Sequence, residues 1–465
     1  MFFQIGYKIS NNFWIAQDLN EFICTNAKKV VLLRSEMKNL LSEIYSSASL
    51  RNVGKLLSAN IFAQAIGLLV YPVLTRIYTP EDFGLLNLFV SIAGVLIVLS
   101  GMEWYNAIVL PKREEEARAI VHLCLLSVGI WTLLIAATIP FSGTIAHLFK
   151  SPLLSRYYWL LPVYVMAMGV WNILNYWYIR NKSYGRISGY QISQSLFSAG
   201  YKTSFGWAGW LQGGLIYATI LSPLCSLVLS ICISGKKMLA PLAQVDKTLC
   251  ASMARQYANF PKYSMPRALV NIISGNLPVL MLAPLFGLTE VGFIGMALTL
   301  SLSPIQIVVK SIYQVLYQHI AQRVNSRQPI GALMRRYIGN VLLVSVPFFI
   351  GLYFILPWLT ETLLGASWRM SGIYIRIFLP WILMITITTS INFIPDIFGK
   401  QSAMLWIEIV YLILRVIALA IGGYTASLVT ALTLFSVSGV IVLLGQLVWF
   451  IVLTRHYDKD YEKCE

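Results

Sequence analysis

The sequence predicts an all-α polytopic membrane protein, with about twelve transmembrane helices in two six-helix lobes. The lobes would be related by a pseudo-twofold along the membrane normal and enclose a central cationic cavity. Three observations carry that expectation. Of 465 residues, 57% are apolar and only 12% charged, with a mean hydropathy of +0.70, against about 45–50% and about 25% in soluble domains. The apolar residues fall into separate runs of about 20, enough to cross a hydrocarbon layer of about 30 Å. Those runs lack the strict alternation a barrel strand needs.

Runs bounded by charges, prolines and glycines place the first six spans near 54–74, 84–102, 119–141, 157–178, 187–207 and 213–234. The second six lie near 263–285, 291–316, 337–356, 372–394, 402–422 and 427–453. An even number puts both termini on one side. With the amino end cytoplasmic, the inner segments hold 26 of the 35 Lys and Arg, the outer loops four and the spans five. That asymmetry follows the positive-inside rule. It predicts that both termini are cytoplasmic. Most of the net +16 is then topological, and nucleic-acid binding is not expected.

The organisation expected is a cytoplasmic amino-terminal extension (1–50), an N-lobe (51–235), a linker (236–262), a C-lobe (263–453) and a cytoplasmic tail (454–465). Residues 1–36 are polar and interrupted and read as a dispensable extension or an over-early start. In the linker, Leu242, Val245, Leu249, Met253 and Tyr257 share one helical face, which suits an amphipathic helix on the inner membrane surface or an ordinary connecting segment. The lobes repeat at a shift of 208 residues, which aligns Leu74, Tyr78, Asp82 and Gly84 with Leu282, Phe286, Glu290 and Gly292. Thr79-Pro80-Glu81-Asp82 carries a helix start with an N-cap, a first-turn proline and an acid at the dipole's positive end, and Thr289-Glu290 is expected to do likewise.

Soluble-enzyme chemistry finds no support. Six scattered cysteines and four isolated histidines give neither a disulfide framework nor a metal-ligand spacing. No Gly-Lys pair is followed by Ser or Thr, so there is no phosphate-cradling P-loop. Neither a metal nor any other cofactor is expected, and no catalytic residue.

Charged side chains inside a span are costly and usually face a cavity or a partner. Here they are Lys202, Arg267, Lys310, Arg376 and Arg415, against Glu103 and Glu408. Ser264, Arg267, Asn271 and Ser274 form one helical stripe, and Ser303, Gln306, Lys310, Gln314 and Tyr317 another. Gln191, Gln194, Ser198, Tyr201 and Lys202 line a third, Asn60, Gln64 and Tyr71 a fourth, and Glu408, Tyr411 and Arg415 a fifth. Amides and hydroxyls suit sugar hydroxyls, and guanidinium or ammonium groups suit phosphate. Arg267, Lys310 and Arg415 are therefore the candidates for binding phosphate. Asn60, Gln64, Gln191, Gln194, Asn271 and Gln306 are the candidates for a glycan. Lys202 and Arg376 fit either an outward-side phosphate site or snorkelling to the interface. Glu408 fits ion coupling or a structural pair with Arg415 or a cation on another helix. Trp104, Trp207, Trp210, Trp358 and Trp368 read as interfacial belts.

Thr79-Pro80-Glu81-Asp82-Phe83-Gly84, and especially Asn259-Phe260-Pro261-Lys262-Tyr263-Ser264-Met265-Pro266 with Leu277-Pro278-Val279-Leu280 and Glu290-Val291-Gly292, resemble the bacterial polysaccharide transporters. These are the Wzx-type O-antigen and capsule repeat-unit flippases of the multidrug/oligosaccharidyl-lipid/polysaccharide exporter superfamily. The resemblance runs over about residues 38–453 and is strongest over 255–325. It implies a non-enzymatic carrier in the bacterial cytoplasmic (inner) membrane that moves undecaprenyl-diphosphate-linked oligosaccharide from the cytoplasmic to the periplasmic leaflet by alternating access. It also implies membrane lipid as a partner, beside a polysaccharide polymerase and a chain-length regulator. Two other readings remain open here. A glycan polymerase or ligase would need a sizeable external loop, and the longest, near 142–156 and 357–371, have about 15 residues. A drug or ion antiporter of the same superfamily would share the fold.

Overall fold

The computed structural model describes residues 48–234, 247–326 and 328–462. The amino-terminal extension up to 47, linker residues 235–246 with Leu242 and Val245, the last three residues and the side chain of Gln314 lie outside the described set. The chain divides after Ser58. Of the first unit only the opening turns of the first helix are described. The second, Ala59–Glu465, holds everything below.

Twelve long helices follow one another: α1 (Ala48–Ile77), α2 (Pro80–Gly101), α3 (Glu114–Ala137), α4 (Leu161–Arg180), α5 (Tyr184–Trp207) and α6 (Leu211–Ser234), then α7 (Met265–Phe286), α8 (Leu288–Asn325), α9 (Gly331–Leu364), α10 (Arg369–Ser390), α11 (Gln401–Tyr424) and α12 (Leu428–Glu462). Each predicted span falls on one of them, and no strand occurs among the described residues. Eleven are long and apolar enough to cross a membrane. The exception is α5. Its 24 residues reach about 36 Å at 1.5 Å each, but its glutamines, serines and lysine dilute the apolar content. The protein is a multi-pass membrane protein.

The helices pack mainly within two sets, α2–α6 and α7–α12, and the sets meet where α2 lies against α7 and α8. The contact at α2 and α8 repeats itself. A β-carbon on Gly84 would overlap the carbonyl oxygen of Leu288, and one on Gly292 would overlap the carbonyl oxygen of Pro80. A shift of 208 residues converts one contact into the other, so the two helices cross backbone to backbone in an isologous, twofold arrangement. The repeat seen in sequence therefore has a packing cause, since only glycine allows the two backbones to approach so closely.

Local chemistry explains the helix starts. Thr79 caps α2 in a capping box: its hydroxyl accepts the Asp82 N–H at 3.3 Å while its own N–H donates to the Asp82 carboxylate at 2.9 Å, with Pro80 opening the helix. The second half departs from expectation. Gly287, at φ +87°, takes the turn before α8, which puts Thr289 inside the helix and leaves Glu290 to accept from the Tyr374 hydroxyl at 2.6 Å. At the entrance to α7, Phe260–Ser264 forms one π turn, where Pro261 has no N–H to continue an α ladder.

Two expectations need correction. Trp368 is not an interfacial tryptophan: it is fully buried, edge-on to Phe83 and Phe293, and donates from Nε1 to the Thr75 carbonyl at 3.0 Å. A tryptophan whose N–H has a buried acceptor gains from full burial. The segment 142–156 is no open loop but two short helices, Ser142–Leu148 and Pro152–Tyr157, and most of 357–371 belongs to α9 and α10. In the linker, Lys247–Gln256 is helical and sits on α3, with Met253 buried and the Cys250 thiol 3.4 Å from the Ala119 carbonyl. Of the described residues on that face, Met253 therefore packs against protein.

Candidate functional site

A polar chamber lies between α1, α5 and α8. It holds about 290 Å³ and is lined by Asn60, Gln64 and Tyr71 from α1, Gln191, Gln194 and Ser195 from α5, and Thr299 and Ser303 from α8. Gly67, with no atom near the place of its missing β-carbon, forms a flat stretch of the wall. The carbonyl oxygen of the Gln191 side chain is buried with no hydrogen-bond partner, an acceptor left for a bound hydroxyl. Gln194, Ser195, Gly67 and Tyr71 also line a second space of about 280 Å³ that extends along α5 to Ser198 and Lys202. Among the described residues Lys202 has no ion-pair partner. It is therefore the cation that the fold presents to this polar column.

Across Leu68 and Tyr71 the chemistry inverts. The same two residues bound an apolar groove of about 310 Å³, closed by Pro72, by Leu300 and Pro304 of α8, by a row of leucines and phenylalanines on α9, and by Ile375, Leu379 and Ile382 of α10. Pro72 and Pro304 interrupt the helical ladders on either side. Proline is a usual cause of helix kinks. Hydroxyl- and amide-lined space and hydrocarbon-lined space thus meet at one tyrosine.

The other sequence-predicted residues lie elsewhere. Arg267 on α7 is 42% exposed and faces Glu408 of α11, 14% exposed, with 3.7 Å between Nε and the carboxylate. Glu408 thus pairs with a cation on another helix and not with Arg415. Lys310, Gln306 and Asn271 are exposed and border none of the three spaces.

Arg415 and Arg376 serve the helices. Arg415, 4% exposed, donates to the carbonyl and hydroxyl of Ser274 at 3.1 and 2.9 Å and to the Tyr411 hydroxyl, and its guanidinium lies over the rings of Tyr411, Phe435 and Trp381. Ser274 is four residues before Pro278, whose missing N–H leaves that carbonyl without its helical donor. Arg376 does the same for Tyr353, four residues before Pro357, with Nε 2.6 Å from the carbonyl oxygen. Each arginine replaces a hydrogen bond that a proline removed, Arg415 in a buried setting and Arg376 in an exposed one. Sequence reasoning saw the charge in the span but not the proline it answers, because the pairing runs between different helices. It also passed over Thr299 and Ser195, although Thr299 lies one turn from Ser303.

Comparison with known proteins fits this architecture. The chain is 21% identical over 410 residues to the succinoglycan biosynthesis transport protein ExoT of Rhizobium meliloti (strain 1021), covering 85% of this chain and 78% of that one. Its fold resembles a multidrug resistance MATE family transporter of the MOP superfamily in the inward-facing conformation, with TM-score 0.64, 12% identity, and 89% and 99% of the two chains covered. An outward-facing structure of such a transporter gives 0.55 at 13% identity, with 90% and 98% covered. The model of the polysaccharide biosynthesis protein family matches residues 73–372, and the chain belongs to that family.

Proposed function

We propose that the protein carries polyprenyl-diphosphate-linked oligosaccharide repeat units, undecaprenyl-linked in a bacterial inner membrane, from the cytoplasmic to the periplasmic leaflet. The observation that supports this most is the junction at Tyr71. A polar column and an apolar groove share a wall, which matches an amphiphile whose sugars and tail must be held in different media. A soluble sugar would have no use for the groove, and a hydrophobic drug none for the column.

In this reading the amide and hydroxyl groups of α1, α5 and α8 receive the glycan, and the proximal isoprenes lie along the groove. Arg267 and Lys310 meet the diphosphate first, and Lys202 holds it further along the column. A diphosphate that engages Arg267 takes it from Glu408, which leaves that carboxylate as the group that couples transport to an ion. Arg415 and Arg376 hold the C-lobe helices in shape. With the termini cytoplasmic, the Gly84–Gly292 crossing closes the external end, as expected of an inward-facing state. A polymerase or ligase is disfavoured because the two longest external segments are folded into helices.

The test is complementation of a strain that lacks its repeat-unit flippase, with Lys202→Gln and Arg267→Gln brought to equal membrane levels. A charge-assisted hydrogen bond contributes about 1.5–3 kcal/mol, so each variant should lower surface polysaccharide about tenfold or more, with Lys202→Arg recovering part. Normal polysaccharide from both glutamine variants would reject the mechanism.

A further inference from the structure

The fifth helix has a second polar face that the chamber does not use. Between the start of α5 and the end of α6 lies a crevice of about 380 Å³, lined on the α5 side by Ser183, Gly185, Arg186, Gly189, Tyr190 and Ser193. Gly185 and Gly189 have nothing within 4 Å of where a β-carbon would be, so the helix backbone forms the open floor. Across from it stand Leu229, Ser230 and Ile233 of α6. Residues 186, 190 and 193 share one face of α5, while 191, 194 and 198, which line the chamber and its extension, lie about 100° around the helix, so the two sites occupy adjoining faces.

Two polar groups in this crevice are buried without partners. The Nη1 atom of Arg186 has no acceptor, and the hydroxyl of Tyr190, a residue 2% exposed, has neither donor nor acceptor. Among the described residues Arg186 has no ion-pair partner. Its guanidinium lies 5.8 Å above the ring of Tyr178, whose own hydroxyl is engaged by Ser230 and Ser234 at 3.2 and 2.6 Å. Tyr190 is locked by stacking on Trp171 at 3.3 Å between ring centres. A buried polar group left unmet costs about 1–3 kcal/mol, more when it is charged, so both groups call for a ligand. The first turn of α5 adds N–H groups and the positive end of a 24-residue helix, and Ser183 makes no side-chain cap there.

All of these groups can donate to an anion. The mouth of the crevice is apolar, with Leu229 and Ile233 exposed, and in a membrane protein such side chains face lipid. We infer that the α5–α6 crevice binds the phosphate headgroup of an anionic membrane lipid, in the leaflet where α5 begins, with the lipid's tails along α6. Arg186 and the Tyr190 hydroxyl are its ligands. This site is independent of the transported substrate and stands or falls separately from the transport reading.

The experiment uses the full chain, delipidated in detergent, and counts bound lipid by native mass spectrometry. The probes are phosphatidylglycerol, a galactosyl diacylglycerol without phosphate, and inorganic phosphate. The wild type should retain phosphatidylglycerol in preference to the galactolipid. Arg186→Gln should weaken that binding about tenfold or more, Arg186→Lys less, and Tyr190→Phe, which keeps the stacked ring, about two- to tenfold. Galactolipid binding should stay unchanged and the thermal midpoint should not fall in any of the three, which separates a lost ligand contact from misfolding. Equal retention of both lipids by the wild type, or undiminished phosphatidylglycerol binding by Arg186→Gln, would overturn the inference. Binding of inorganic phosphate without the lipid would overturn the lipid assignment.

Discussion

Alanine at Gly84 or at Gly292 is expected to destabilise the protein by about 1–3 kcal/mol or more, the range for overpacking a tight contact. Both β-carbons would meet a backbone carbonyl oxygen, that of Leu288 or of Pro80, and a backbone atom cannot swing aside as a side chain can. The only relief is to move α2 away from α8. The two substitutions therefore share one response, and the double variant should cost clearly less than their sum. Gly129→Ala is the control, since nothing lies near its missing β-carbon; in mid-helix it should be neutral or gain up to about 1 kcal/mol. Thermal denaturation of the four purified variants checks this. Additive losses, or losses no greater than the control's, would contradict the twofold crossing. Under the proposed mechanism, in which that crossing closes the external end, the same variants should also disfavour the inward-facing state.

Arg415→Met should lower stability by about 1–3 kcal/mol through the stranded Ser274 carbonyl, with some loss of cation–π contact besides. The second variant makes this specific. Pro278→Ala returns an N–H to the position that ought to serve Ser274, so in that background Arg415→Met should cost distinctly less. A substrate-binding arginine predicts the opposite pattern: unchanged melting, lost transport and no rescue by Pro278→Ala. Melting and transport measured on the four-member cycle separate the two roles.

How far the sequence could be read depended on the range of the interaction. The spans, the capping box at Thr79 and the glycines at 84 and 292 rest on neighbours within a few residues or on an internal repeat, and these are visible in one dimension. The polar stripe of α5 was legible for the same reason, and the very feature that marks it, its glutamines and lysine, lowers its apolar content below that of the other spans. The fate of each buried arginine was not legible. Arg415 and Lys202 look alike in sequence, both being cations in a polar stripe, but one meets a carbonyl freed by a proline on α7 and the other a cavity. Trp368 was misread because its acceptor, the Thr75 carbonyl, lies 293 residues away. Thr289 was misread because Gly287 could take the turn in its place. The junction at Tyr71 required the groove on α8, α9 and α10 to be placed against α1, which no local pattern encodes.

The most direct test of the account is flipping by the purified protein in liposomes, with a fluorescent oligosaccharide supplied either on a polyprenyl diphosphate or as the free glycan diphosphate. The account predicts that the lipid-linked form crosses, that Lys202→Gln slows it about tenfold or more, and that the free form stays where it was placed. Equal movement of the free glycan diphosphate, or movement of the lipid-linked form no faster than in protein-free liposomes, would contradict it.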